Sequence, residues 1–196
     1  MISFQARYIN SATIKHQTQP YEYQDMNTAL VEFDFNSRAD KRTIKKISKM
    51  WTKEFDNLEK QGFEMSGGTC LAKDIYKNYK ATSKNPNFRK YYAMTSQTDH
   101  FEKLNPDNIL GIAQISSEYV GTYDLENFQV KPEYTAFINN SKYTKIGTGF
   151  LNSILEVLPF KVFRVIPTIN SAEFYNKYGL KYDPETITFG IIKEDL

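Results

Sequence analysis

The stretch KYTKIGTGFLNSILEVLP, residues 142–159, limits the fold more than any other part of the chain. Phe150, Leu151, Ile154, Leu155 and Leu158 recur at helical spacing, Pro159 stops the helix, and Gly147 and Gly149 stand where it begins. Strand-like runs flank it, FQVKP before and FKVFRVIP after, so a helix has to sit between strands. Glycines at a helix mouth let the chain turn tightly and let a ligand come close to the backbone. The first amides have no helical partner and carry the positive end of the helix dipole, which suits a phosphate. Glycine at a helix start is also ordinary punctuation, so the surroundings have to decide.

Those surroundings read as mixed α/β. Two β segments open the chain, Phe4 to Lys15 and Thr28 to Phe35, separated by the polar HQTQPYEYQDM. In the second, Leu30 faces away from Val31, Phe33 and Phe35, the alternation of a half-buried strand. The period then changes. Ile44, Ile47, Trp51, Phe55 and Leu58 predict a long amphipathic helix, with Ser37 as N-cap and Gly62 as its stop. A second helix through Leu71, Ile75 and Tyr79 lies between the breaks SGG and SKNPN. The runs FRKYYAMTS, NILGIAQISSEYV and YDLENFQVKP predict three strands. After the 142–159 helix come a buried strand in FKVFRVIP, a short helix in SAEFYNKYG with Gly179 at its C-cap, and a last strand in ETITFGIIK.

At 196 residues the chain suits one domain with one well-formed core, residues 1–196. The net charge of +2 is too small to imply a nucleic-acid or membrane partner without local clustering. Cys70 is the single cysteine, which excludes an internal disulfide and fits a reducing compartment. The opening MISFQARYIN lacks the unbroken apolar stretch of a secretion signal, and no later segment approaches the roughly 20 apolar residues of a membrane helix. The expectation is a cytoplasmic protein with no membrane partner. No metal-ligand spacing is present. His16 and His100 read as surface or capped residues, and Cys70 as a small buried side chain.

The loop before the helix is not a Walker A loop, since G-x-x-x-x-G-K-[ST] is missing, and it is not a Rossmann turn, since G-x-G-x-x-G is missing. The order that remains is a strand ending in VKPEY, a loop with lysines, IGTGFLNSIL, a strand, and NSAEFYNKYGLKY. From Ile109 to Tyr182 this resembles the GNAT superfamily of N-acetyltransferases. Members carry a strand ending in V-x-P-x-x, a Q/R-x-x-G-x-G/A loop that holds the acetyl-CoA pyrophosphate, and a later A-x-x-x-Y-x-x-x-G-F segment. Two registers of the loop stay open. In one, Lys142 takes the Gln/Arg place, Lys145 replaces the first glycine and Gly147 is the final small residue. In the other, Thr144 replaces Gln/Arg, and Gly147 with Gly149 supplies both small positions. The loop before KYTKIG is several residues longer than the family's.

The resemblance implies a mixed, mostly antiparallel central sheet flanked by helices, with an N-terminal two-strand and long-helix elaboration. It implies acetyl-CoA as cosubstrate and a primary amine as acceptor, on a small molecule, a protein or an aminoacyl-tRNA. Residues 1–100 would form the acceptor side and residues 101–196 the acetyl-CoA-binding core. Lys142, Lys145, Ile146, Gly147, Thr148 and Gly149 form the cofactor loop, Phe128 and Val130 meet the pantetheine arm, and Asn170 matches a cofactor-contacting asparagine. Tyr175 falls on the family's general acid, with ring packing on the sheet as the plainer reading. Asp124 and Glu126, on one face of a strand, are the candidate bases, and each is also a plausible solvated edge residue. Leu180 stands where the family has Phe.

One run lies outside the resemblance. Arg38, Lys41, Arg42, Lys45, Lys46, Lys49 and Lys53 crowd residues 38–53, opposed only by Asp40. The plain reading is a solvated helix face; the sharper one is a track for an RNA or acidic partner, extended by Lys73, Lys77, Lys80 and Lys84. The function classes are therefore an amine acetyltransferase, a non-catalytic CoA-binding or interaction module on the same fold, and a nucleic-acid binder using the basic helix.

Overall fold

A computed structural model describes residues 5–34, 36–63, 70–82, 88–135, 141–168 and 171–193. Among these residues nine strands form one sheet: β1 Arg7–Gln19, β2 Glu22–Glu32, β3 Arg89–Thr95, β4 Ile109–Tyr119, β5 Thr122–Val130, β6 Tyr143–Thr144, β7 Val162–Val165, β8 Lys181–Asp183 and β9 Thr188–Ile192. Their order is β6-β1-β2-β3-β4-β5-β7-β9-β8. Every pairing between described residues is antiparallel except β5 with β7. The α-helices of the described residues cover the sheet: α1 Arg38–Lys60, α2 Leu71–Thr82, α3 Ile146–Val157 and α4 Ala172–Tyr178. The mixed, mostly antiparallel sheet flanked by helices is the fold class that the sequence implies.

Both faces of the central strands are buried. Leu30, Met94, Ala113 and Leu125 join Phe150, Leu151, Ile154 and Tyr175 in the core under α3 and α4. Val31, Phe33, Ala93 and Ile112 join Ile44, Ile47, Trp51, Ile75 and Tyr79 under α1 and α2. Leu30 and Val31 do point to opposite faces, but neither face is solvent; this corrects the half-buried strand expected there.

The opening segments also need correction. Residues of the polar HQTQPYEYQDM continue the two strands, and the chain reverses at Pro20 and Tyr21, where Tyr21 takes a φ of 66°. This end of the hairpin is largely exposed, so backbone pairing holds it without an apolar stripe to reveal it. Phe4 and Phe35, the outer limits expected for these segments, lie outside the described residues, as do the SGG and SKNPN breaks. Two short strands escape the sequence pattern altogether. Tyr143–Thr144 pairs with Lys15 and His16 of β1, and Lys181–Asp183 pairs with β9.

The helices start and stop for readable reasons. Ser37 caps α1 by accepting from the Asp40 amide at 3.1 Å. Asp40 is itself buried and accepts from the Asp34 amide at 2.8 Å, so the one acid of the basic run faces inward. Gly179 ends α4 at a φ of 95°, a left-handed turn that glycine takes without strain.

Candidate functional site

The loop ahead of α3 is tied into the sheet edge. Gln17 donates its amide to the Lys142 carbonyl at 2.9 Å, and the His16 and Tyr143 rings pack 5.1 Å apart. His16 thus stands beside the loop, although nothing in its sequence neighbourhood signals that. Lys142 and Lys145 are exposed, and the Lys142 ammonium lies 5.1 Å over the Tyr143 ring.

Lys145 caps α3 in the left-handed region, with φ 60° and ψ 17°. The first intrahelical bond runs from the Gly149 amide to the Lys145 carbonyl at 2.9 Å. The amides of Ile146, Gly147 and Thr148 precede it and have no carbonyl of the helix to meet. The two glycines do different work. A Cβ on Gly149 would lie 3.1 Å from the Thr13 carbonyl oxygen, so this glycine lets α3 approach β1. A Cβ on Gly147 would make ordinary contacts, nearest the Phe174 ring at 3.6 Å and Val130 at 3.8 Å, on the side of the β5 end. An anion carried by three amide groups and two exposed lysines fits that half-exposed corner.

Near the corner the pairing stops. β5 and β7 pair from Thr122 with Val162 to Leu125 with Val165, and they part there because β7 ends while β5 runs on to Val130. At the point of parting β5 carries a bulge, because Gln114 of β4 faces Asn127 while Ile115 faces Leu125, which leaves Glu126 as the extra residue. The bulge turns Glu126 and Asn127 to the same side, where both bond Gln114, whereas Leu125 and Phe128 belong to the α3 side.

The two carboxylates named from sequence have separate surroundings. Asp124 takes a bidentate bond from Arg164 across the β5–β7 pair, at 2.7 and 3.0 Å. Glu126 accepts from the Arg89 guanidinium at 3.2 to 3.4 Å and from the Gln114 amide. On the other face Phe128 stacks with Phe150 and Phe174 at 5.1 and 6.5 Å. Tyr175 packs beside Phe174 at 5.2 Å and is 4% exposed. Burial pushes its phenol up, well above the ordinary tyrosine range. Asn170 lies outside the described residues.

The basic run forms an exposed face of α1: Arg38, Lys41, Arg42, Lys45, Lys46, Lys49 and Lys53 all point outward. Lys46 reaches Asp107 at 4.0 Å. Lys84 lies outside the described residues. Among the described residues no helix is long and apolar enough to cross a membrane, and no group of three or more His, Cys, Asp or Glu could hold a metal ion.

No protein-family model and no curated protein matches the sequence. A solved structure from Desulfovibrio desulfuricans, assigned as an acetyltransferase of the GNAT family, superposes with a TM-score of 0.52 at 12% identity, covering 84% of this chain and 98% of that one. A second, from Klebsiella pneumoniae and assigned as an acyl-CoA N-acyltransferase, has a TM-score of 0.38 at 13% identity over 61% of this chain and 82% of that one, and carries no argument. With its helix-flanked, mostly antiparallel sheet and the match to the first of these, the chain has the fold of GNAT-family acetyltransferases.

Proposed function

We propose that this protein is an acyl-CoA-dependent N-acyltransferase that moves an acetyl group from acetyl-CoA to a primary amine. The observation that carries the reading is that β7 stops after the Leu125–Val165 pair while β5 runs on to Val130, beside a helix α3 whose first-turn amides have no carbonyl of the helix to meet. Ile146, Gly147 and Thr148 bind the pyrophosphate through their amides, Lys142 and Lys145 add charge, and the backbone of Phe128 and Val130 orients the pantetheine arm. Gly149 contributes by letting α3 pack at the depth that presents those amides. Asn170 stays in the proposed cofactor set on sequence grounds alone.

Bound acetyl-CoA supplies a thioester carbonyl open to attack by an amine. Forming the amide bond and breaking the C–S bond requires a proton to leave nitrogen and one to reach sulfur. Glu126 accepts the first, because it stands just past the last β5–β7 pair, whereas Asp124 lies two residues back, inside that pairing and bound to its β7 partner Arg164. The Arg164 pair makes Asp124 a brace between β5 and β7. Tyr175 gives the second proton: its buried phenol stays protonated at any physiological pH and so remains a donor.

A non-catalytic CoA-binding module is the second reading, and the arginine pairs favour it, since Arg164 holds both oxygens of Asp124 and Arg89 reaches both of Glu126. Titration calorimetry with acetyl-CoA on the intact protein and on Gly147→Asp tests both, followed by thiol release with a panel of primary amines. Binding lost in the variant, with thiol release that falls in Tyr175→Phe, supports the enzyme. Binding with no thiol release from any amine supports the module. No binding sinks both.

A further inference from the structure

The bulge that carries Glu126 is backed by a chain of side-chain amides that the proposed reaction has not yet used. Gln114 lies on β4, 0% exposed, between α2 and β5. Its carbonyl oxygen accepts from Asn78 Nδ2 of α2 at 2.9 Å and from Asn127 Nδ2 at 3.1 Å. Its own Nε2 donates to Glu126 Oε2. Two donors converging on one oxygen leave the amide a single orientation, and the acceptor-only carboxylate of Glu126 enforces the same one from the other end. A flipped Gln114 would set oxygen against carboxylate and NH2 against two NH2 groups.

Glu126 is consequently gripped from two directions. Arg89 holds it from β3, partly exposed, and Gln114 holds it from inside the sheet. The Arg89 contact is screened by water, while the amide contact is dry and cannot rotate away, because Asn78 anchors it to a helix.

We propose that Gln114 is a positioning residue for Glu126: clamped by Asn78 and Asn127, it fixes the carboxylate at the parting of β5 and β7 and ties its orientation to helix α2. This rests on Glu126 acting as the base of the proposed acyl transfer. Any acceptor that moves α2 therefore moves the base through Asn78.

The test needs no identified acceptor. Side-chain NH2 resonances of Gln114 are followed by 15N NMR, and carboxyl resonances of Glu126 by 13C NMR, across pH 3 to 9 in the full-length protein without ligand. One Gln114 NH2 proton should move as Glu126 ionises. In Gln114→Met the Glu126 carboxyl resonance should shift at neutral pH, since a donor to the carboxylate is lost, while acetyl-CoA affinity stays within about twofold. A Gln114 NH2 signal that ignores Glu126 ionisation, or a Glu126 resonance unmoved in Gln114→Met, overturns the proposal even for an active enzyme. Should Gln114→Met fail to fold, the wild-type titration decides alone. Coupled titration together with no acetyl transfer to any amine leaves the clamp standing and sinks the base role of Glu126.

Discussion

Gln129 Oε1 accepts the amide hydrogen of Ala72 at 2.6 Å, so a β5 side chain caps the first turn of α2 from 57 residues along the chain. Cys70, the residue before that helix, is a poor cap, and its sulfur lies 3.7 Å from the same Gln129 amide group. Ala72 is fully buried, so no water replaces the lost acceptor. Gln129→Ala should cost about 1–2 kcal/mol in urea denaturation. Gln129→Glu, which keeps the acceptor, should lose less than half as much; equal losses would assign the effect to packing.

The glycines of α3 should respond differently to alanine. At Gly149 the new Cβ would meet the Thr13 carbonyl at 3.1 Å and Ile14 Cγ2 at 3.2 Å, and the carbonyl belongs to a strand that cannot retreat. Overpacking of this kind costs about 1–3 kcal/mol, against which alanine recovers up to about 1 in helix propensity. Gly149→Ala should therefore lower stability by about 1–2 kcal/mol. At Gly147 the contacts are ordinary, and Gly147→Ala should leave stability unchanged or raise it by up to about 0.5 kcal/mol. Thermal denaturation of the pair decides: a greater loss at Gly147 would refute the packing role of Gly149.

Lys145 supplies a left-handed backbone with a side chain that disfavours it. The strain costs about 1–2 kcal/mol, and glycine would relieve it while losing about 0.5–1 kcal/mol through its freer unfolded chain. Lys145→Gly should accordingly raise stability by about 0.5 kcal/mol, and Lys145→Ala should leave it unchanged. A destabilised Lys145→Gly, measured by chemical denaturation, would show that the lysine side chain makes contacts that matter more than its φ. The same variant separates the two loop registers: if the Lys145 position does the work of the family's first glycine, the variant retains acetyl-CoA affinity or gains it.

Where the sequence carried periodicity with caps, the elements could be read from it. Ser37, Ile44, Trp51 and Phe55 define α1, and Phe150, Leu151 and Ile154 define α3, because helices announce themselves within one segment. Long-range geometry left no such trace. The polar ends of β1 and β2 pair through backbone alone, β6 exists because residues 143 and 144 meet residues 15 and 16, and the cap on α2 comes from Gln129. The loop motif marked the α3 corner, but the bulge at Glu126 is invisible in D-L-E-N-F, which reads as unbroken alternation. Asp40 also misled: a carboxylate amid seven cations reads as part of their face, yet it turns inward and accepts the amide of Asp34, ahead of the helix.

Glu54 of α1 and Glu133, just past β5, form a carboxyl pair that makes stability depend on pH. Burial pushes Glu54 up to about 7, with the Glu133 charge adding to the rise and Lys131 opposing it. Burial also pushes Glu133 up, but hydrogen bonds from Lys131, Tyr134 and Glu54 outweigh it and leave Glu133 below the usual range. The proton of the pair therefore sits on Glu54. Between about pH 4.5 and about pH 7 the folded chain holds a proton that the unfolded chain has released, so stability falls as pH rises through that window. Glu133 has the opposite sign, and its contribution is lost as pH falls below the ordinary carboxylate range. Glu54→Gln keeps a donor to Glu133 and removes the ionisation. At pH 8 the variant should exceed the wild type by about 1 kcal/mol, reduced from the full shift because Glu54 is half-buried and screened. At pH 4, below that window, the two should match. Urea midpoints at both pH values measure this difference directly, and Asp40, whose carboxyl burial raises to about 6, cancels because both proteins contain it. Parallel curves for wild type and variant from pH 5 to 8 would place the proton elsewhere.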